Sequence, residues 1–250
     1  MRQVAYEDEA ERYAAARGLA LDAIAPWREA IAPWIEGSSP ILDGGAGTGQ
    51  FTGAFRAWFD RDVVALEPAA AMRRAARTLA AGDRRQRWVG GRLEELPLAR
   101  ATCGTAWLST VVHHVRDLAR CADELRRVLV PGAPVLIRGA FPGRHEGITL
   151  LRFFPEAMRR LETFPGVDDV CARFAGAGFT RVALHEVAQR SAASLADYRA
   201  RVVTGRHADS LLAVLDDDEF AIGLARLDDA IASVAPDAAV HDRLTLLVLR

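Results

Sequence analysis

In the stretch ILDGGAGTGQ (41–50), Asp43, Gly45, Gly47 and Gly49 stand at every second position, with Gly44 beside the first glycine. Glycine allows positive φ and carries no Cβ, so a tight turn can form and a ligand can lie against the backbone. The spacing is D-x-G-x-G-x-G and not G-x-G-x-x-G. The second pattern aims a helix N-terminus at a pyrophosphate. The first places a carboxylate where a phosphate would be repelled, and it suits a ligand with a cationic end, such as an amino-acid ammonium group. A second acid, Glu67, closes the stretch ALEP about 20 residues further on. A carboxylate there can accept hydrogen bonds from two ribose hydroxyls. A glycine-rich turn with no ligand and a solvated glutamate is the bland alternative. The combination of turn, helix, strand and terminal acid favours ligand binding.

Two histidines, His113 and His114, follow the segment TAWLST (105–110). Imidazole exchanges protons near neutral pH, so either could act as a general base, with His114 the favoured one. The structural alternative is a histidine that merely bonds backbone at a helix entrance. His145 is a further candidate, whereas Asp117 reads as a helix cap.

These residues need a scaffold, and the chain supplies alternating patterns. Short apolar runs at 40–45, 63–68, 86–91, 105–110 and 134–140 read as strands. Helical stretches at 48–59, 69–81 and 117–129 lie between them. Such alternation implies βαβ units and a parallel sheet with right-handed crossovers. Residues 7–35 read as two helices interrupted by Pro26 and Pro33. Beyond 140 the regularity breaks. Residues 141–167 are rich in Pro, Gly and aromatics, including Phe141, Phe153, Phe154 and Phe164, which read as cap core or pocket wall. A helix at 168–177, a strand at 181–188, helical segments within 191–236 and a closing strand at 243–250 follow. The expectation is one α/β domain over 1–250. It would be a Rossmann-like, seven-stranded, mostly parallel sheet with helices on both faces and a helical cap formed by the insertions 141–167 and 191–236.

Composition narrows the function classes. The 250 residues carry 32 Arg, no Lys and a net charge of −1. That balance offers no general attraction to nucleic acid or to anionic membrane. Three spaced cysteines with no paired Cys/His spacing support neither disulfides nor zinc. The charged opening MRQVAYEDEAERY predicts no signal peptide, and no apolar run approaches membrane-spanning length. A cytoplasmic protein with a small-molecule partner, no nucleic acid and no membrane is expected; the oligomeric state is left open. The acidic run DDDE (216–219) reads as a helix start and not as a metal site.

ILDGGAGTGQ resembles the first motif of class I S-adenosylmethionine-dependent methyltransferases, and ALEP resembles their second. GRLEELPLA (91–99) and residues 108–140 are similar to the adenine-reading and following segments of small-molecule members related to quinone-biosynthesis enzymes. The likeness covers about 40–140 well. It implies that S-adenosyl-L-methionine is the cofactor. Asp43 and the turn formed by Gly45, Ala46, Gly47 and Gly49 would hold its methionine part. Glu67 and Pro68 would meet the ribose, and Met72, Leu93 and Glu94 the adenine. Ser109 would lie beside the cofactor. Tyr13 and Arg17 belong to N-terminal helices that fold over it in similar enzymes, and Arg17 could instead be a solvated helix charge. Arg92 stands where the family often has an acid that bonds the adenine amino group. Gly104 stands where it often has Asp.

The expected activity is methyl transfer to a small organic acceptor, a secondary metabolite, at O or N ahead of C. The rival readings are a methyltransferase of macromolecules, a protein that binds the cofactor without methyl transfer (cyclase, sensor or scaffold), and a nicotinamide dehydrogenase. The last would need the other glycine spacing.

Overall fold

The computed structural model describes residues 19–80, 82–233, 235 and 237–250. Tyr6, Tyr13 and Arg17 lie outside the described residues. Strands β1 (Ile41–Gly44), β2 (Val63–Leu66), β3 (Gln86–Val89), β4 (Thr105–Ser109), β5 (Val135–Gly139), β6 (Arg181–Ala192) and β7 (Val240–Leu249) form one sheet in the order β3-β2-β1-β4-β5-β7-β6. The first five pair in parallel, and β7 runs antiparallel to β5 and β6. The order reverses between β1 and β4, so the two strands that flank the crevice are those ending in the glycine turn and the histidine loop.

Helix α1 (Ala25–Ile31) leads into a 3-10 turn at Ala32–Trp34. The breaks expected at Pro26 and Pro33 fall at the start of this helix and in the 3-10 turn that follows it. Pro26 sits in the first turn, where its missing N–H costs nothing. Helices α2 (Gln50–Phe59), α3 (Ala70–Leu79) and α4 (Leu118–Val128) follow β1, β2 and β4. Asp117 caps α4, its carboxylate accepting from the Arg120 N–H at 3.0 Å. On one sheet face Trp27 of α1 and Phe51 and Phe55 of α2 pack on Trp107 of β4, with ring centroids 4.8 to 5.8 Å apart. The other face is covered by α4 and α7 (Val167–Ala175), with Phe141 in that core.

The two insertions meet over the carboxyl edge of the sheet. The first contains α5 (Thr149–Phe153) and α6 (Met158–Leu161); the second contains α8 (Leu195–Gly205) and α9 (Asp217–Ser233). They share a hydrophobic core of their own, including Leu151, Phe154, Leu161, Tyr198, Val202, Phe220 and Leu227. Arg226 of α9 ties this core to the first insertion through both Glu156 carboxylate oxygens, at 2.9 and 3.0 Å. Strand β6 continues to Ala192, four residues past its expected end, and carries the chain up into the cap.

Gly223 is where α9 touches the Phe154 ring. A Cβ there would lie 2.1 Å from two ring carbons. Gly223→Ala is therefore expected to destabilise the cap by about 1–3 kcal/mol. The readout is the thermal midpoint, which should fall by several degrees. Adding Phe154→Leu should recover part of the loss, because the two positions share one contact. An unchanged midpoint in Gly223→Ala would refute the packing.

Candidate active site

The glycine turn is shaped first by the protein itself. Gly45, Gly47 and Gly49 have φ of 74°, 57° and 86°. A Cβ on Gly45 would meet Val111 at 2.4 Å, and one on Gly49 would meet the Trp88 ring at 2.8 Å. The side chains excluded at these two positions are thus excluded by neighbouring protein groups.

The turn's donors are largely committed as well. The N–H groups of Gly45 and Ala46 both donate to the Leu66 carbonyl at 2.9 Å, and that of Gly49 to the Ala46 carbonyl. The Gly47 N–H donates to Glu67 Oε2 at 3.0 Å. The Thr52 hydroxyl donates to Asp43 Oδ2 at 2.6 Å, and the Thr52 N–H, in the first turn of α2, also serves Asp43. The acid at this helix N-terminus is Asp43, so the place a phosphate would take is filled from within.

Asp43 is 2 % exposed. Burial pushes its carboxyl up to about 7, the Thr52 bonds oppose the rise, and the charge of Glu67 adds to it. A cationic ligand group would turn this acid into an anion. Glu67 is held on both oxygens, by the Gly47 N–H and by the Ala69 N–H at 2.9 Å. This grip orients the carboxylate. Arg73 clamps the Glu67 and Pro68 carbonyls at 2.6 and 2.8 Å, which fixes the turn that carries the acid.

Two cavities open at the sheet edge. The smaller, about 150 Å³, is lined by Glu67, Pro68, Met72, Leu93, Glu94 and His114. Met72 and Leu93 are buried, an apolar floor suited to a flat base. Glu94 accepts the Arg116 N–H at 2.8 Å, so its side chain is braced from the histidine loop. Arg92 borders the cavity with an exposed side chain, and its main chain turns back on Glu95. Gly104 lies against the 36–39 loop, where an added Cβ would sit 3.1 Å from Ser39.

The larger cavity, about 230 Å³, lies under the cap. Its lining includes Asp43, His113, Arg138, Phe164, Tyr198 and Ser210. Gly45, Ser109 and Thr110 line both cavities and form their common wall. Thr110 is left-handed, with φ 50°, an unusual state for a β-branched residue that costs about 1–3 kcal/mol. Its N–H is secured by the Arg138 carbonyl at 2.7 Å.

The 3-10 turn Val112–His114 sends its two histidines to different cavities. His113 stacks on Phe164 with ring centroids 4.0 Å apart and planes 6° apart, and its Nε2 lies 3.3 Å from Ser210 Oγ. His114, favoured from sequence as a base, faces the smaller cavity with Glu67 and Leu93. Sequence reasoning passed over Arg138, Gln189, Tyr198 and Ser210. Only Arg138 left a signal: a charge inside the otherwise apolar strand VLIRGA. Among the described residues no group of three His, Cys, Asp or Glu is arranged for a metal, and no helix is long and apolar enough to cross a membrane.

Residues 42–137 match the family model described as a methyltransferase domain, a span running from β1 to β5. No curated protein sequence matches the chain significantly. Solved structures share its fold. A candidate methyltransferase from an antibiotic biosynthesis pathway of Anabaena variabilis is 18% identical, with a TM-score of 0.66 over 89% of this chain and 96% of its own. The geranyl diphosphate C-methyltransferase of Streptomyces coelicolor, solved with S-adenosyl-L-homocysteine, is 13% identical, with a TM-score of 0.54 over 90% of this chain and 78% of its own. The [4+2]-cyclase SpnF is 16% identical, with a TM-score of 0.55 over 90% of this chain and 80% of its own.

The match over residues 42–137 gives the chain a methyltransferase domain, and the whole has the Rossmann-like fold of S-adenosylmethionine-dependent methyltransferases with a helical cap.

Proposed function

We propose that the chain methylates a small organic acceptor, a secondary metabolite, held in the cavity under the cap, at oxygen or nitrogen ahead of carbon. The observation that carries this reading is the common wall of Gly45, Ser109 and Thr110, with Glu67, Met72, Leu93 and Glu94 on one side and Asp43 and His113 on the other. Asp43 would meet the ammonium, Glu67 the ribose, and Met72, Leu93 and Glu94 the adenine. Bound there, S-adenosylmethionine supplies a methyl on a positively charged sulfur, which departs as neutral thioether when the acceptor's lone pair takes the carbon. Little is left for the chain but alignment and removal of one proton. His113 would accept that proton from an O–H or N–H acceptor, with Phe164 and Ser210 holding the ring plane. His114 would then serve the donor side. The near-neutral charge supports a small acceptor over nucleic acid, and a cytoplasmic setting fits the same composition.

Incubation of the purified protein with methyl-labelled donor and a cell extract tests this. Label in the small-molecule fraction is expected. Label in protein or nucleic acid would move the acceptor to a macromolecule. Donor binding with no labelled product would replace the reading with a cofactor-binding protein such as a cyclase.

A further inference from the structure

Tyr198 stands in the first turn of α8, and the chain around it is firmly placed. The Ser194 hydroxyl caps the helix by accepting the Asp197 N–H at 3.0 Å, and the Tyr198 N–H donates to the Ser194 carbonyl at 3.0 Å. The residue is 7 % exposed and belongs to the cap core. Ile148, Leu150, Val202 and Leu212 of that core line the larger cavity, as Tyr198 does itself. The wall is thus apolar apart from the phenol oxygen. Among the described residues that hydroxyl has no hydrogen-bond partner.

The charges that act on the hydroxyl locate it. They are those of Asp242, Asp209 and Arg201, and all three residues line the larger cavity. Asp242 comes from β7, where it accepts the Thr149 N–H at 2.8 Å and the Ser191 hydroxyl. Asp209 precedes Ser210, whose Oγ lies 3.3 Å from His113 Nε2. The hydroxyl therefore shares its space with the His113 ring. Burial pushes its titration well above the ordinary tyrosine range; the Asp242 and Asp209 charges add to the rise, and Arg201 opposes it. It stays protonated at physiological pH, with one O–H to donate and lone pairs to accept.

A molecule that fills this space displaces solvent from the hydroxyl. If it brings no polar atom there, the hydroxyl is left buried and unbonded, a cost carried by that complex alone. A hydroxyl set in an apolar wall thus discriminates by what a ligand lacks.

We propose that Tyr198 is a specificity-determining residue: its hydroxyl bonds a carbonyl or hydroxyl oxygen of the methyl acceptor, at a point apart from the atom that is methylated. The acceptor then carries two groups, a nucleophilic O–H or N–H that reaches His113 and a second oxygen that reaches Tyr198. This inference rests on the methyl-transfer reading above.

Labelled-methyl transfer is measured for probes that differ in one oxygen: tyrosol and para-hydroxyacetophenone, each against para-ethylphenol, and para-aminoacetophenone against para-ethylaniline. Wild type is expected to favour the oxygenated member. Tyr198→Phe removes one oxygen and keeps the ring that packs in the cap core. It should shrink the preference in kcat/KM by about 5- to 100-fold. Differences in intrinsic reactivity within a pair are common to both proteins and cancel. Transfer to the oxygen-free member should be kept or improved, because the stranded hydroxyl is gone. The thermal midpoint and the affinity for S-adenosylhomocysteine are measured in parallel and should be kept.

An unchanged preference in Tyr198→Phe overturns the proposal. So does an equal loss with both members of a pair, or a fallen thermal midpoint, either of which makes the hydroxyl a support of the cap. A loss of S-adenosylhomocysteine affinity gives Tyr198 to the donor and overturns it as well. Wild-type transfer without preference for the oxygenated probes, or to no probe at all, also overturns it; label from the cell extract then leaves methyl transfer standing. Absence of label from probes and extract alike, with S-adenosylhomocysteine bound, removes both readings together.

Discussion

Asp43→Asn is expected to weaken binding of S-adenosylhomocysteine by about 30- to 1000-fold, because it removes one charge of a buried ion pair and leaves the ligand's ammonium without a counter-charge. The amide is close in shape to the acid and can still accept from Thr52, so the fold should survive. The pH dependence makes the prediction specific. The folded carboxyl keeps its proton up to about pH 7, while an exposed aspartate releases it near 4. Between those values the folded chain binds a proton that the unfolded chain does not. Stability of the ligand-free protein should therefore fall as pH rises through that window and level off above about 7. Ligand binding runs the other way. The ammonium demands the anion, so binding expels the proton, and affinity should climb by up to about tenfold per pH unit below 7. At higher pH the ligand's own α-ammonium loses its proton and affinity should fall again. Calorimetric titration across this range should give a maximum between the two limits in wild type. Asp43→Asn should lose the rise and keep the fall. The same rising limb in both proteins would refute the assignment of Asp43.

The second large effect separates neighbouring residues. His113→Ala should lower turnover by about 100- to 1000-fold with an acceptor found in the labelled-methyl experiment, as expected for loss of a general base. Its affinity for S-adenosylhomocysteine should change little, since the ring lies in the cavity under the cap. His114→Ala should show the opposite split: weaker donor binding with turnover at saturating donor largely kept. Equal turnover in wild type and His113→Ala would remove the base. A turnover loss in His114→Ala alone would restore the sequence-based preference.

The placing of the two histidines in different cavities marks where the sequence stops being readable. The strand and helix alternation, the acids Asp43 and Glu67 and the Asp117 cap are local signals, each complete within a few residues. The pair His113-His114 is local too, but which ring enters which cavity depends on the turn of a single 3-10 step against Phe164, some 50 residues later. The polar floor of the acceptor cavity is more remote still. Arg138 meets Gln189 from across the sheet, and His113 meets Ser210 from the second insertion. No spacing rule predicts such pairs. The end of β6 was missed for a different reason. Register shifts at its two ends, between Arg181 and Ala183 and between Arg190 and Ala192, disturb the alternation by which a strand is recognised.

The separate hydrophobic core of the two insertions has a consequence for how such a protein diversifies. The Phe154 and Leu227 layer and the Val111 neighbourhood belong to separate hydrophobic cores. Acceptor choice can then drift, or be exchanged by grafting, while donor recognition is inherited unchanged. The couplings that a graft must respect include Gln189 near the end of β6, the Phe164 and Ser210 contacts to His113, and the bonds of Gly147 and Thr149 to Arg243 and Asp242 of β7.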